Sequence, residues 1–222
     1  GYINFFIKKS VIIQNLIDVG EVVQINLLEG KRILFEYGHP NPFKMIHIGH
    51  LRNFIIGESL TRILEKLGAE VIRINYQGDV GMHVAKSVWG IINKLETENT
   101  TLSEVEKFPI EERVKFIGKA YAVGATAYEE SETSKEEIKQ INHAVYAIVQ
   151  EKLIAENNWQ PTKKYSEFIN SNIDMKKIAE IWEKGKSWSL EAFRQFYSRV
   201  GTKFEREYME SETLYWSDVA IK

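Results

Sequence analysis

The sequence predicts an α/β fold in which a parallel sheet presents a ligand at its carboxyl edge and a long helical stretch interrupts the strand-helix alternation. Three observations carry this. The apolar run Ile33, Leu34, Phe35 reads as a buried strand. Past a Pro-rich turn, the quartet His47, Ile48, Gly49, His50 opens a helix, and Glu70 to Tyr76 is a second strand. From about residue 95 to 200 the pattern is helical and charged, an insertion rather than a continuation of the sheet. The quartet therefore falls where a strand hands over to a helix, the edge at which parallel sheets bind ligands.

Taken in order, residues 1–8 alternate loosely and read as a strand, Ser10 caps a helix through Asp18, and Gly20 ends it. A strand and a helix are too small to stand alone, so residues 1–24 read as the tail of a small α+β domain, with 25–222 as the main domain. The helix after the quartet has Leu51, Phe54, Ile55, Leu60, Ile63, Leu64 and Leu67 at helical spacing, and Gly68 stops it. A further helix is expected from Lys86 to about Lys94, then a polar linker over residues 96–101. Phe116, Ala120 and Val123 mark one apolar stripe; Ile138, Ile141, Val145, Ile148 and Leu153 mark another, behind a capping box of Ser134 and Glu137. These two helices are expected to form a hairpin, with the acidic residues 129–137 as its solvated turn. Ile178, Ile181 and Trp182 continue the pattern, Gly185 breaks it, and residues 190–200 form one more helix closed by Gly201. Residues 204–211 read by themselves as a charged helix or strand end.

Composition narrows the classes. With 222 residues, 44% of them apolar, the chain can build a real core. It has no cysteine, which excludes a disulfide framework and a zinc-thiolate site. A net charge of −2 gives no overall electrostatic footprint for nucleic acid, so any such contact is local. No apolar run is long enough to span a membrane. The start is no secretory leader, because its charges follow the apolar part, and the missing initiator Met fits an excised piece.

The candidate chemistry gathers around the quartet. Gly49 lacks a side chain, so a flat ligand can pack on the backbone, and helix N-terminal amides favour a phosphate. His47 and His50 add donors on either side, suited to phosphate oxygens whose charge shifts during displacement. Pro40 and Pro42 hold Asn41 extended, which suits recognition of an amino or carboxylate group; bonding its own backbone in the turn is the alternative. Lys44 is either a solvated loop lysine or a phosphate partner. Glu36 stands at the end of the first strand.

The quartet, with Pro40, Asn41, Pro42 and Lys44 ahead and Leu51, Arg52, Asn53, Ile56 and Gly57 behind, resembles the N-terminal half of the catalytic domain of the arginyl-tRNA synthetases, which are class I aminoacyl-tRNA synthetases. The likeness extends to Asn75, Tyr76, Gly78, Asp79, Gly81 and to Phe204, Tyr208, Glu210, Ser211. It implies a Rossmann-like (HUP-type) nucleotide-binding half with a helical insertion, preceded by the end of an added tRNA-binding domain. It implies ATP over Gly49, phosphates near His47 and His50 with Mg²⁺ assisting, and Lys44 serving ATP. It implies that Asn41 and Glu36 hold the amino end of L-arginine while the Glu210 carboxylate reads the guanidinium through paired hydrogen bonds. The remaining partner is tRNA(Arg), and the implied setting is a cytoplasmic monomer.

The likeness has departures. Gly38 and His39 stand where small hydroxyl residues are expected, and His39 either reaches the arginine or caps the turn. Val80 and His83 replace Trp and Gln, and Glu205 replaces Asp. There is no Lys-Met-Ser-Lys-like loop, no later Tyr and Asp pair and no anticodon-binding helical domain, so these residues alone are expected to be inactive in aminoacylation. Nucleotidyltransferases also use a His-x-Gly-His turn, but their Gly-x-Phe-Asp lead-in is absent, with Leu34, Phe35, Glu36, Tyr37 in its place. A non-catalytic paralogue that binds tRNA or a protein is the alternative from another class.

Overall fold

The computed structural model describes residues 8–18 and 26–220. Of the strand expected over residues 1–8, only Lys8 is described, and it is not in a strand; the rest of it and the stop at Gly20 lie outside the described residues. The helix that follows, α1, spans Lys9–Asp18, so Ser10 lies inside it rather than capping it.

Among the described residues the sheet has three parallel strands in the order β1 (Arg32–Glu36), β2 (Glu70–Gln77), β3 (Arg206–Met209). Helix α2 (Ile48–Lys66) makes the first crossover. The second runs through α3 (Met82–Thr97), α4 (Leu102–Val105), α5 (Ile110–Glu130), α6 (Glu132–Asn157) and α7 (Met175–Val200). A single-turn 3₁₀ segment, Glu210–Glu212, and α8 (Thr213–Ala220) follow β3. Because every strand runs the same way, the residues after Glu36, Gln77 and Met209 meet at one edge: Glu36 pairs with Ile74, and Gln77 with Met209.

The core lies in the helical stretch, where Val84, Val88 and Ile91 of α3 pack with Ile117 and Ala120 of α5, Ile138 and Val145 of α6, and Ile181 and Trp182 of α7. A smaller aromatic cluster, Tyr37, Phe54, Phe193 and Tyr197, sits beneath the sheet edge and joins the two parts.

Several expectations need correction. β1 is not buried: among the described residues it is an edge strand, and Leu34 is 65% exposed. Helix α2 turns inward not its leucine and isoleucine stripe but Phe54, Gly57, Glu58 and Thr61, leaving Ile55, Leu60 and Ile63 exposed. Its inner face is polar because Glu58 accepts hydrogen bonds from Tyr37 Oη (2.7 Å), Thr202 Oγ1 (2.6 Å) and Arg62 Nε (2.7 Å) and pairs with Arg73 (3.2 Å). A buried carboxylate with that many donors is satisfied where an unpaired one would not be. Helix α3 begins four residues early and runs to Thr97, consuming part of the expected linker. The hairpin turn is Ser131 alone; its Oγ accepts from Ser134 N at 3.2 Å, so Ser131 rather than Ser134 is the cap, and the acidic residues are helical. Val123 is exposed, and Gly124 takes its place at the contact. Gly185 does not break α7, which runs 26 residues to an αL cap at Gly201.

Candidate functional site

His47 is the N-cap of α2, and the two histidines cap the helix between them. The Gly49 amide donates to His47 Nδ1 (3.1 Å), and the His47 amide donates to His50 Nδ1 (3.2 Å). Each Nδ1 is thereby an acceptor, so each neutral ring carries its proton on Nε2 and offers that N–H outward. Burial, followed by the charges of His47 and Lys44, pushes the His50 pKa down, which favours that neutral form. Gly49 is explained by close approach: a Cβ there would lie 2.8 Å from His47 Cε1, so any side chain would displace the capping ring. The helix pole itself is open, with Ile48 78% exposed.

The loop between β1 and α2 is anchored by a residue that sequence reasoning passed over. Phe43 is fully buried with φ 67°, an uncommon conformation for a bulky residue. Its amide donates to Ser189 Oγ (3.0 Å), its carbonyl accepts from Ser87 Oγ (3.2 Å), and its ring lies where a Cβ on Gly185 would come within 2.4 Å. Gly185 is thus a seat for Phe43. The signal was present as a lone aromatic between Pro42 and Lys44, but nothing local says which distant helix receives it.

The anchored loop sets Asn41 and Lys44. Asn41 Oδ1 accepts from the Gly78 amide (3.0 Å), which commits the oxygen and leaves the Nδ2 hydrogens for a ligand. Lys44 lies near both His50 and His83, whose pKa values its charge lowers after the larger effect of burial, and its Nζ is 5.2 Å from the Tyr121 ring centroid. Glu210 comes from the far side: a Cβ on Gly78 would be 2.9 Å from Asn41 Oδ1 and 2.9 Å from Glu210 Oε2, so these two side chains flank one glycine. Burial first, then the charge of Asp79, pushes the Glu210 pKa up. Such a carboxylate lacks a counter-charge, and an incoming cation would supply one. His83 Nε2 donates to the Gly78 carbonyl (2.9 Å), so its ring braces that turn.

Asp79, fully buried, holds the turn from below. Its Oδ1 accepts from the Ser211 amide (2.8 Å), its Oδ2 from Ser211 Oγ (2.7 Å) and Lys186 Nζ (2.5 Å), and its carbonyl from Trp182 Nε1 (2.8 Å). Glu36 and His39 sit together a little apart. His39 Nδ1 is 3.6 Å from Glu36 Oε1 and the His39 amide donates to Asn75 Oδ1 (3.0 Å), at a shallow cleft with Asn53, Ile56 and Leu60. The structure thus brings His47, Gly49, His50 and Lys44 into one group and Asn41 and Glu210 into a second around Gly78, while Glu36 and His39 form a third. Among the described residues no cluster of three or more His, Asp or Glu is arranged to hold a metal ion.

Residues 12–205 match the family described as tRNA synthetases class I (R), catalytic domain. An arginine–tRNA ligase of Treponema denticola is 31% identical over 218 residues, covering 96% of this chain and 32% of the relative. One from Borreliella afzelii is 31% identical over 216 residues, covering 95% and 32%. The chain therefore spans about a third of the length of these curated relatives. The arginyl-tRNA synthetase of Thermus thermophilus shares the fold with a TM-score of 0.51 at 21% identity, over 94% of this chain and 28% of that one. With residues 12–205 matched, the chain belongs to the class I arginyl-tRNA synthetase catalytic-domain family.

Proposed function

We propose that this chain is the first part of the catalytic domain of an arginine–tRNA ligase, which activates L-arginine with ATP and passes it to tRNA(Arg). The observation that carries the reading is the meeting of Asn41 and Glu210 around Gly78. A cationic side chain gripped by Glu210 and an amino-acid backbone end at Asn41 would point the substrate carboxylate toward the α2 pole. ATP lies there, with its α-phosphate facing the Nε2–H groups of His47 and His50 and the Lys44 ammonium. The carboxylate oxygen attacks the α-phosphorus, the bond to the bridging oxygen breaks, and pyrophosphate leaves; a hydroxyl of the terminal tRNA ribose then attacks the arginyl carbonyl, and AMP leaves. The histidines act as electrostatic donors that strengthen as charge shifts onto the phosphate oxygens, each donor worth on the order of 100-fold in rate. Mg²⁺ bound to ATP would offset the charge of its phosphates.

Glu36 and His39 are secondary contacts in this reading, at the edge of the arginine amino group. Residues 1–24 belong to an added domain and 25–222 to the catalytic one, with the insertion at about 95–200. The setting is the cytoplasm and the working form a monomer; no described helix is long and apolar enough to cross a membrane. These 222 residues alone are not expected to aminoacylate tRNA.

The test is ATP/pyrophosphate exchange by the full enzyme carrying this chain, against a panel of amino acids with and without tRNA, beside Glu210→Ala. Exchange with arginine alone, lost in the variant, is the expected result. Exchange with another amino acid overturns the arginine assignment, and no exchange at all moves the reading to a tRNA-binding paralogue.

A further inference from the structure

We propose that Asp79, Lys186 and Ser211 form a clasp that positions Glu210, so that helix α7 of the insertion sets arginine affinity without touching the substrate. The inference rests on the reading of Glu210 as the guanidinium contact. Its own basis is a buried ion pair that the proposed chemistry does not use.

Asp79 is fully buried and spends its whole carboxylate on two residues: Ser211, through the amide at 2.8 Å and Oγ at 2.7 Å, and Lys186 Nζ at 2.5 Å. The Ser211 amide belongs to the peptide unit whose carbonyl is that of Glu210. That carbonyl accepts from Thr213 Oγ1 at 2.7 Å. The Glu210–Ser211 peptide is therefore pinned at its N–H by Asp79 and at its oxygen by Thr213, which fixes the Glu210 backbone and leaves only side-chain torsions free. The 3₁₀ segment that contains it is a single turn running into α8, whose first amide, that of Thr213, also donates to the Glu210 carbonyl. The far end of the clasp is in α7: Lys186 pairs with the carboxylate, and Trp182 Nε1, on the same helix face, holds the Asp79 carbonyl at 2.8 Å. Gly78, next in the chain to Asp79, is the residue that Glu210 Oε2 and Asn41 Oδ1 flank. One buried residue thus ties both walls of the arginine contact to the insertion. A buried pair of this kind returns little stability relative to apolar packing, because desolvation offsets the attraction, so its value here is geometric.

The test uses the full enzyme and Ser211→Ala, which removes one bond of the clasp without changing charge. Arginine KM is expected to rise roughly 10-fold, the usual effect of losing one charge-assisted hydrogen bond, with ATP KM unchanged. In a Glu210→Gln background the same substitution is expected to cost less than about 2-fold, because residues acting through one another are not additive. Thr213→Val, at an exposed position, removes one of two bonds to the Glu210 carbonyl, the Thr213 amide still donating to it, and gives a smaller rise in arginine KM; it serves if Ser211→Ala fails to fold. Where exchange falls below detection, calorimetric arginine affinity reads the same comparison. Equal losses for arginine and ATP, independent losses in the double variant, or no change in arginine KM each overturn the clasp while leaving the functional reading intact. A wild-type enzyme without arginine-dependent exchange overturns both.

Discussion

Glu58→Gln is the sharpest test of what holds α2, and therefore its capping histidines, against the sheet. The Glu58 side chain is 10% exposed and lies between four donors from β1's end, α2 itself, β2 and the loop after α7. Burial alone would push its carboxyl up; hydrogen bonds from Thr202, Tyr37, Arg62 and Arg73 outweigh that and hold it down at about 2, against 4.5. A folded-state value below the unfolded one means stability that is present above about pH 4.5 and lost as pH falls through 2. The drop corresponds to on the order of 3 kcal/mol. The Gln variant keeps the shape, loses the charge, and turns an N–H toward Tyr37 and Thr202. Arg73 is not orphaned, because it keeps Glu65 at 2.6 and 2.9 Å. The cost at neutral pH should therefore fall near the lower end of the range for breaking a buried pair, about 3 kcal/mol. Urea unfolding of wild type and variant across the acid range reads the difference directly. It should be full at neutral pH and shrink toward zero as pH approaches 2. A difference that stays constant through that window would refute the reasoning, since the loss would then be packing and not charge.

Two further outcomes follow from the site. Gly185→Ala places a methyl about where the Phe43 ring now lies, at 2.4 Å, so the loop carrying Asn41 and Lys44 must shift; we expect a loss of about 1–3 kcal/mol in stability and weaker binding of both ATP and arginine, measured by thermal melting and calorimetry. His50 is expected to titrate below 6.5 by proton NMR, and Lys44→Met to move its midpoint upward; a midpoint above 6.5 would mean that the neutral Nε2–H form is not the resting one.

The parts of the fold that were legible in the sequence are those whose signals are local. A short apolar run, a turn and an amphipathic helix stopped by Gly68 gave β1, α2 and β2 nearly to the residue, and placed the histidine quartet at the strand-to-helix junction. The alternation cannot say which face of α2 turns inward. An apolar stripe marks a surface that favours cover, but Glu58 found partners as far away as Thr202, and four charge-assisted bonds turned the polar face in. Gly185 misled for the same reason. In isolation a glycine weakens a helix, whereas here it gives room to a phenylalanine 142 positions earlier in the chain, at 2.4 Å from where its Cβ would be. The capping of α2 was half readable: two histidines flanking a glycine suggested donors to a ligand, while their use of Nδ1 on the backbone, which fixes the outward Nε2–H, needed coordinates.

One helix explains why the sheet edge and the insertion behave as a unit. Along its 26 residues, α7 presents Trp182 and Lys186 to Asp79, Gly185 and Ser189 to Phe43, and Tyr197 to Asn75 Nδ2 and Gln77 Nε2, both at 2.9 Å. Those contacts reach, in turn, the turn that carries Gly78, the loop that carries Asn41 and Lys44, and the interior of β2. Trp182, Lys186 and Ser189 follow at about one helical turn and Tyr197 about two turns further on, so a rigid α-helix sets the distances between two loops and the strand β2. A loop pinned by its own turn chemistry would place Asn41 only relative to its neighbours in sequence; pinned to α7, it is placed relative to Glu210, which lies 169 positions away by number and follows the same helix through Asp79. The polar contacts cost desolvation and stabilise the fold little, but each fixes one direction, and together they give a carboxylate and an amide a common origin. A helical insertion between the second and third strands is then part of the site's construction, because removing it would leave both walls of the contact without a reference.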